Sequence, residues 1–447
     1  MLIRRQKRTA ERKAPVSDTS LLKKLLGIDL AVVESARIDE KDGSLVVEVR
    51  PRKSQLCRCH RCGKKAPVYD VPAQARRWRS LDFGTARVFL EYALPRVSCP
   101  ERGVHPAGVP WAHHASRFTR DFEEQVAWLC VHANRSVVAA IMRIDWKSVG
   151  GICKRVCDRL DAQAGDRFDG LVRIGVDETS YKKGHKYMTV VLDHDTGRVV
   201  WCGEKHGKAV LESFFDLLTP EQRARITVVT ADGARWIAEV VEDKCPNAER
   251  VMDPFHVVGW MTGVLDEVRR QAWRRARESG RSEPKRPVGR PKKGDEKKPD
   301  KASEIKGSKY ALLKNPENLT EAQSGKLAKI AREDKRLHNA YLLKEDLRDV
   351  FKSPDSAAAA EKLDKWLNRA CRSWTKEIKE LSKKVRRHKE AIVRAVELGI
   401  SNARVEAVNN KIKLTVRMGY GFRNIDNLMA LVMLRCSNLP IKLPGRA

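Results

Sequence analysis

The sequence lacks the long apolar run that a membrane span needs. No stretch of its 447 residues approaches the roughly 18 apolar residues of a transmembrane helix, and no signal-peptide core follows the basic start from Met1 to Ser20. Its 11 cysteines are too few for a disulfide scaffold. We therefore expect a cytoplasmic protein whose clustered cysteines bind metal or are ordinary buried thiols.

Acidic residues are a clear minority. The chain has 89 Lys and Arg against 58 Asp and Glu, which gives a formal net charge of +31. So many positive charges repel one another in the free protein. The excess is therefore better explained by a nucleic-acid partner than by solubility alone. The length is about three times that of a typical domain, which favours a multidomain protein.

Hydrophobic periodicity divides the chain into six segments and predicts a multidomain α/β protein. The predicted segments are a basic flexible arm (1–18), a β module (19–117), a three-helix unit (118–165), a mixed α/β domain (166–260), a helical region (261–398) and a final helical stretch (399–447). Residues 281–302 contain nine Lys or Arg, four Asp or Glu and four Pro. That composition cannot bury a core, so we expect a disordered loop there.

The densest cysteine cluster has the sequence CRCHRCGKK. One C-x-x-C pair followed by a distant Cys and His can form a tetrahedral zinc site on two hairpin knuckles. The candidate ligands are Cys59, Cys62, Cys99 and His105. Because Cys57 and His60 offer competing donors, the fourth ligand stays open, and a set of reduced thiols is the alternative.

Two short helices joined by Arg143-Ile144-Asp145 have the proportions of a helix-turn-helix. We expect Ser136 and Asp145 to be the N-caps of these helices. The basic charge favours DNA binding over a simple packing unit, and it makes Lys147, Lys154 and Arg155 the candidate contacts of the last helix.

A Gly-Arg-Pro core centred on Arg290 lies in the basic loop and resembles an AT-hook, which inserts an arginine into a narrow minor groove. Because the motif is short, we favour a solvated basic linker.

Three separated carboxylates occur in settings suited to metal binding. Asp177 closes the apolar strand 171–176, Asp232 closes the strand 226–231, and Glu406 lies in the first turns of a late helix. Ligands of open α/β sheets bind at the carboxyl ends of the strands. Hard oxygen donors suit magnesium, and two such ions can assist phosphodiester displacement. For either aspartate alone a helix or turn cap is the favoured interpretation. The three acids together with the basic charge favour the metal site instead.

Four blocks carry a resemblance to a known family. They are GVDETSYKKGHKYMTVVLDHDTGRVV, VVTADGARW, MDPFHVV and SNARVEAVNNKIKLTVRMGYGFRNIDNL, in this order. They resemble the DDE transposases of bacterial insertion sequences, in particular the ISL3 family. The resemblance implies a zinc-ribbon-like module and an RNase H-like catalytic domain interrupted by an all-helical insertion. It also implies that Asp177, Asp232 and Glu406 are the catalytic triad.

Several other residues keep two interpretations. Glu178 and Asp193 are rival carboxylates, and we expect Glu178 to face away from Asp177 along the strand. Asp253 and His256 form an Asp-x-x-His pair similar to a signature of related transposases, with a role in phosphate contact or in capping a helix. We expect the tryptophans Trp366 and Trp374 to be core residues rather than base-stacking platforms.

The resemblance implies a transposase that binds the terminal inverted repeats of its element and catalyses strand cleavage and strand transfer. Its expected cofactors are two magnesium ions, which manganese can replace, and a structural zinc. Its expected partner is double-stranded DNA, at the element ends and at the target, with no membrane partner. We expect a homodimer or higher assembly on DNA, in the bacterial cytoplasm and at the nucleoid when bound. A catalytically retired DNA-binding regulator and a structure-specific nuclease are the alternatives.

Overall fold

The computed structural model describes residues 18–231, 234–281, 300–400 and 403–446. These residues form two compact units. The first contains the chain up to residue 164 together with 426–435 and the residues from 439 onward, and the second contains 165–425 and 436–438. No helix within the described ranges is both long and apolar enough to cross a membrane.

The first unit begins with helix α1 (Asp18–Leu25) and seven strands. The strands are β1 (Ala31–Ile38), β2 (Leu45–Pro51), β3 (Val68–Asp70), β4 (Arg76–Phe83), β5 (Ala86–Tyr92), β6 (Arg96–Cys99) and β7 (Gly103–Pro106). They form a four-stranded sheet of order β1-β2-β5-β4, in which only β2 and β5 are parallel, and a three-stranded antiparallel sheet of order β3-β6-β7. Trp78, Leu90, Val97 and Trp111 are buried in their shared core.

Three helices complete the first part of this unit: α2 (Arg120–His132), α3 (Arg135–Met142) and α4 (Trp146–Gln163). Each begins at a polar cap whose side chain accepts a backbone N–H. Asp145 caps α4 as predicted. The predicted cap Ser136 is wrong, because Asn134 accepts the N–H of Val137 and α3 begins one residue before Ser136.

The second unit is built on a five-stranded mixed sheet. Its strands are β8 (Arg173–Lys182), β9 (Lys186–Asp193), β10 (Val199–Glu204), β11 (Val228–Ala231) and β12 (Glu249–Met252), in the order β10-β9-β8-β11-β12. β8, β9 and β10 are antiparallel, whereas β8, β11 and β12 are parallel. The prediction that Asp177 closes its strand is wrong, because pairing with β9 extends β8 to Lys182.

Three helices lie between β10 and β12: α5 (Lys208–Phe215), α6 (Pro220–Arg225) and α7 (Arg235–Lys244). The apolar residues of α5 and α7 pack on one face of the sheet. The buried cluster includes Ile174, Val176, Leu211, Phe214 and Ile237. Because α5 and α7 cover this face of the sheet, the remaining helices of the unit can pack only against the opposite face.

The described chain after β12 is helical as far as residue 400. It contains α8 (Pro254–Arg281), α9 (Lys301–Gly307), α10 (Lys309–Leu313), a 3-10 turn (Pro316–Asn318), α11 (Glu321–Glu333), α12 (Lys335–Val350), α13 (Ser356–Cys371), α14 (Lys376–Arg387) and α15 (Lys389–Leu398). These helices bury a core of their own around Leu343, Leu347, Leu363 and Trp366. Within the helical region predicted over 261–398, α14 and α15 are separate helices that meet at His388.

The last two helices are α16 (Ala403–Met418) and α17 (Ile425–Cys436). α16 packs against β8. α17 belongs mainly to the first unit, where Arg435 donates a hydrogen bond to the carbonyl of Val131 on α2 at 2.5 Å. It also lies so close to α4 that a Cβ at Gly150 would collide with the side chain of Asn427. The chain therefore returns to its N-terminal unit after α16.

Candidate functional site

Asp177 lies within β8 on the face of the sheet that α16 covers. Side chains alternate along a strand, so Asp177 shares its face with Gly175, where a Cβ would come within 2.8 Å of Val405 on α16. The half-buried carboxylate accepts the backbone N–H of Glu178 at 2.8 Å and the side-chain Nδ2–H of Asn409 at 2.6 Å. Both carboxylate oxygens are thus oriented, one by β8 and the other by α16.

Glu406 is exposed in the first turn of α16, three residues before Asn409. Residues three apart are neighbours on the surface of a helix. The hydrogen bond that fixes Asn409 against Asp177 therefore holds the Glu406 segment of α16 next to β8.

Asp232 lies outside the described residues, whereas the strand before it is described. β11 runs parallel to β8, with Val228 opposite Arg173 and Thr230 opposite Gly175. The paired residues are 55 positions apart, and Asp177 and Asp232 are separated by the same interval. The interval between the two aspartates in the sequence thus equals the offset between the paired residues of β8 and β11.

His194 is a buried imidazole in the turn between β9 and β10, and it contacts three elements of the second unit. Its Nε2 is 2.6 Å from Thr230 Oγ1 on β11, and a Cβ at Gly175 on β8 would come within 2.8 Å of the same nitrogen. Arg404 on α16 donates to the main-chain oxygen of His194. Burial, with the nearby Arg404 guanidinium as the second cause, lowers the pKa of His194 to about 4, so the ring is neutral at neutral pH.

The two rival carboxylates have different surroundings from Asp177. Glu178 lies on the opposite face of β8, with its Oε2 3.7 Å from His206 Nδ1. Asp193 is buried and accepts hydrogen bonds from the backbone N–H of Asp195 at 2.9 Å and from Thr196 Oγ1 at 2.6 Å. Asp193 therefore stabilises the turn that carries His194.

Asp253 and His256 lie at the junction of β12 and α8. Asp253 is buried, and its Oδ1 accepts the backbone N–H of Phe255 at 3.0 Å. His256 Nε2 lies 3.7 Å from the other carboxylate oxygen. The carboxylate thus caps the start of α8, with the half-buried imidazole beside it.

Three thiols converge in the β module of the first unit. The Sγ atoms of Cys59, Cys62 and Cys99 all lie within 4.8 Å of one another, and those of Cys62 and Cys99 are 3.6 Å apart. A hydrogen bond from the backbone N–H of Cys62 lowers the pKa of the Cys59 thiol. This is the only cluster of three or more potential metal ligands in the described residues. Thiolate donors at such spacing suit zinc.

The candidates for a fourth ligand differ in their hydrogen bonding. His105 lies on β7 beside the thiol-bearing strand β6, and its buried Nε2 has no hydrogen-bond partner among the described residues. His60 Nδ1 instead lies 3.1 Å from the carbonyl of Pro106, and its ring stacks on that of His114. Neither His105 nor Cys57 lies within the cluster that Cys59, Cys62 and Cys99 form.

The helix-turn-helix geometry is anchored to the β module within the first unit. Arg143, between α3 and α4, has a φ of 53°, in the left-handed region that ends a helix. Its guanidinium donates to Asp82 and, at 3.0 Å, to the carbonyl of Thr85 in the hairpin between β4 and β5. The turn of the motif is therefore hydrogen-bonded to the hairpin between β4 and β5.

Comparisons with known proteins match each of these parts. A family model described as "Transposase" for the ISL3 DDE domain matches residues 174–432. Models described as the helix-turn-helix domain of transposase family ISL3 and as the zinc-finger of transposase IS204/IS1001/IS1096/IS1165 match residues 109–157 and 55–102. The chain belongs to the ISL3 family of DDE transposases.

Two relatives illustrate this membership. The chain is 47% identical over 433 residues to the transposase for insertion sequence element IS1557 of Mycobacterium tuberculosis, with 95% of this chain and 97% of the relative covered. It is 26% identical over 412 residues to the transposase for insertion sequence element IS1001 of Bordetella parapertussis, with 91% and 95% covered.

Of the predicted DNA contacts in this ISL3 transposase, Lys147 and Lys154 are exposed on α4, where Lys154 forms an ion pair with Asp158 at 2.7 Å. Arg155 instead donates to the buried carboxylate of Glu123 on α2 at 2.5 and 2.8 Å. It therefore ties α4 to α2. Arg290 lies outside the described residues.

The two tryptophans have opposite environments. Trp366 is buried as predicted and donates from its Nε1 to the carbonyl of Leu343 at 2.8 Å. The prediction for Trp374 is wrong, because 91% of this residue is exposed. Trp374 lies between α13 and α14, where the helical spacing of eight residues from Trp366 no longer applies.

Sequence reasoning missed Asn409 and His194. Both occur in the blocks that carry the family resemblance, but an amide and a histidine have many ordinary roles. Only the three-dimensional contacts show that Asn409 binds the Asp177 carboxylate and that His194 lies against β8, β11 and α16.

Proposed function

We propose that this chain cuts DNA at the ends of its insertion sequence and joins the freed 3′ hydroxyl to a target DNA, using Asp177, Asp232 and Glu406. The observation that carries the proposal is the Asn409–Asp177 hydrogen bond of 2.6 Å, which joins the Glu406-bearing helix to the Asp177-bearing strand. The 55-residue offset of β8 and β11 supports Asp232 as the second acid.

The catalytic domain is proposed to have an RNase H-like fold with a helical insertion. In the sheet the antiparallel strands β10, β9 and β8 are followed by β11 and β12, which run parallel to β8. Helices cover both faces of this sheet. The helices α8 to α15 form their own core between β12 and α16. This arrangement explains why Glu406 is so distant in sequence from both aspartates.

The donor set fits divalent ions such as magnesium or manganese. Asp177 supplies an oriented carboxylate, and the buried Oδ1 of Asn409 beside it has no hydrogen-bond partner among the described residues. Asp177, Asp232 and Glu406 would hold such ions, which would supply Lewis-acid stabilisation of the attacking and leaving oxygens in phosphodiester displacement. The protein residues orient the carboxylates for this purpose, and neutral His194 supports the strands and helix that carry them.

The β module is proposed to hold one structural zinc through Cys59, Cys62, Cys99 and His105. The unsatisfied, buried Nε2 of His105 fits a fourth nitrogen ligand. Zinc would join the loop that carries Cys59 and Cys62 to the strands β6 and β7.

The first unit is proposed to bind the terminal inverted repeats, with α4 as the helix in the major groove. Exposed Lys147 and Lys154 would contact phosphates or base edges. Because the two ends of an element must be processed together, we propose a dimer or larger assembly on DNA.

The test compares isosteric variants of the acids. Asp177→Asn, Asp232→Asn and Glu406→Gln each remove one anionic oxygen, so each should abolish cleavage and joining of an end-sequence duplex but retain binding to it. Glu178→Gln is the control and should remain active, because Glu178 lies on the opposite face of β8. If Glu406→Gln cleaves and Glu178→Gln does not, the third acid is misassigned.

Activity in all four variants would contradict DDE chemistry. A wild-type protein that binds the ends without cutting them would be a regulator, and cutting without joining would indicate a nuclease.

A further inference from the structure

Trp374 presents nearly its whole indole to solvent, which is unusual for so large an apolar group. It is held there by its neighbours, because Ser373 and Thr375 on either side are both buried. The backbone N–H of Thr375 donates to Ser373 Oγ at 3.2 Å. The exposed ring is therefore carried on an anchored connection between α13 and α14.

Six basic residues between positions 372 and 387, on either side of Trp374 in the sequence, are exposed and have no ion-pair partner among the described residues. α14 buries Ile378, Leu381 and Val385 on one face, and basic side chains occupy the other. The unpaired cations are Arg372, Lys376, Lys379, Lys383, Arg386 and Arg387. Glu380 is the one exposed acid on α14, and half-buried Glu377 is hydrogen-bonded to Gln271.

The flanking helices show that this pattern is local. All the Lys and Arg residues of α13 and α15 form ion pairs with nearby carboxylates. They are Lys362, Lys365, Arg369, Lys389 and Arg394. α14 leaves five of its six Lys and Arg residues without an ion pair among the described residues, and the sixth, Lys384, lies over the ring of Trp260. Because the two flanking helices pair all of theirs, uncompensated positive charge is concentrated on one surface of α14. Such a surface is complementary to a polyanion.

We propose that Trp374 and the basic side chains of residues 372–387, together the α14 face, bind DNA that contains an unpaired base. The cations would contact phosphates, and the indole would stack on the base. Bases inside a duplex are covered by their neighbours, so an exposed ring can stack only on a base that is unpaired or displaced. This inference rests on the proposed function for its substrate, and it assigns a second DNA-binding surface to the helical region, separate from the acids and from α4.

The stacking test uses the full-length Asp177→Asn protein, so that the DNA is not cut. The probes are a fluorescein-labelled 30-base-pair duplex with one unpaired adenine and the same duplex without it. Trp374→Ala should bind the probe with the unpaired base about tenfold more weakly and the fully paired probe almost as before. Trp374→Phe should retain most of the preference. With 2-aminopurine at the unpaired position, the stacking-induced loss of fluorescence should disappear in Trp374→Ala.

The charge test measures how binding depends on salt. The double variant Lys379→Ala/Lys383→Ala should lower the slope of log affinity against log salt by about 0.9 for each phosphate that the removed lysines neutralise. Lys362→Ala/Lys365→Ala is the matched control on α13, where both cations are ion-paired, and its slope should equal that of Asp177→Asn alone.

Equal preference for the unpaired base in Trp374→Ala and its parent would overturn the stacking role. An unchanged salt slope in the α14 variant would overturn the role of these lysines in phosphate binding. Either result leaves the proposed function intact if wild-type protein still cleaves end DNA and the Asp177→Asn variant does not. Failure of the wild type to cleave would instead count against the proposed function.

Discussion

Asn409 on α16 donates a hydrogen bond of 2.6 Å to Oδ2 of Asp177 on β8. The bond spans 232 residues of sequence and joins two elements that each carry a proposed metal ligand. In the proposed site Asn409 would act through Asp177, as a positioning residue. Residues that orient metal ligands commonly affect metal affinity as strongly as some ligands do.

We predict that Asn409→Ala reduces strand cleavage by roughly 10- to 100-fold and raises the magnesium concentration needed for half-maximal activity. Binding to end DNA should be unchanged, because Asn409 belongs neither to α4 nor to the α14 face, the two proposed DNA-binding surfaces. Cleavage assays across a magnesium titration measure both effects.

Asn410→Ala is the matched control, since the neighbouring asparagine is exposed, and it should behave as wild type. Asn409→Asp should be more damaging than Asn409→Ala, because it places a second negative charge against Asp177. Wild-type magnesium dependence in Asn409→Ala would show that the hydrogen bond has no positioning role.

The sequence predicts well those features whose signals are local. The C-x-x-C spacing identifies two of the three converging thiols, and Asp145 is recognisable as a cap because its role depends on the next two residues. The mixed order of strands and helices in the second unit also follows from periodicity. Asn134 is harder to identify because both it and Ser136 are good N-caps, and only the backbone decides where α3 begins.

Features set by distant contacts cannot be read from the sequence. In the sequence Arg155 has the character of a DNA contact, because nothing near it reveals an ion-pair partner. Its partner Glu123 is 32 residues away on another helix. Trp374 resembles a core residue because a large aromatic side chain in a helical region is usually buried, but it lies in the connection that follows the end of α13 at Cys371. The partner of Asp177, Asn409, lies beyond the whole helical region.

Removal of single thiols should test the zinc assignment. The purified protein should carry about one zinc per chain. Cys62→Ser and His105→Ala should each bind zinc much more weakly and lose it on dialysis, because a four-coordinate site needs every ligand. Cys57→Ser should keep its zinc, since Cys57 lies outside the thiol cluster. Metal analysis after dialysis measures the content, and full retention in Cys62→Ser would refute the site.

Substitutions on α4 should separate DNA binding from stability. Lys147→Ala should weaken binding to end DNA and lower its salt slope by about 0.9, without changing the thermal stability of the first unit. Arg155→Ala should destabilise that unit by about 2 kcal/mol, because it leaves the buried Glu123 carboxylate without its guanidinium partner. Thermal unfolding and anisotropy titrations measure the two effects. A stable Arg155→Ala protein that no longer binds end DNA would reverse the assignment.

His194 should make the second unit sensitive to acid. Burial lowers the pKa of this imidazole to about 4, whereas a histidine in the unfolded chain titrates near 6.5. The unfolded state therefore binds the proton first as the pH falls. The stability supplied by neutral His194 is complete above about pH 6.5 and is lost progressively between about pH 6.5 and 4. A pKa shift of this size corresponds to about 3 kcal/mol in the free energy of unfolding.

We predict that His194→Gln flattens this part of the stability profile, because glutamine can still bond Thr230 but does not titrate. Urea unfolding of the second unit at pH 7.5, 5.5 and 4.5 measures the effect as the difference between variant and wild type, which cancels the contributions of other histidines. The charged neighbours Arg404, Asp195, Arg173 and Asp193 remain in both proteins. His185→Asn changes an exposed histidine in the turn between β8 and β9 and serves as the control. If His194→Gln loses stability with acid as steeply as wild type and His185→Asn, the buried imidazole is not the group that couples protonation to unfolding.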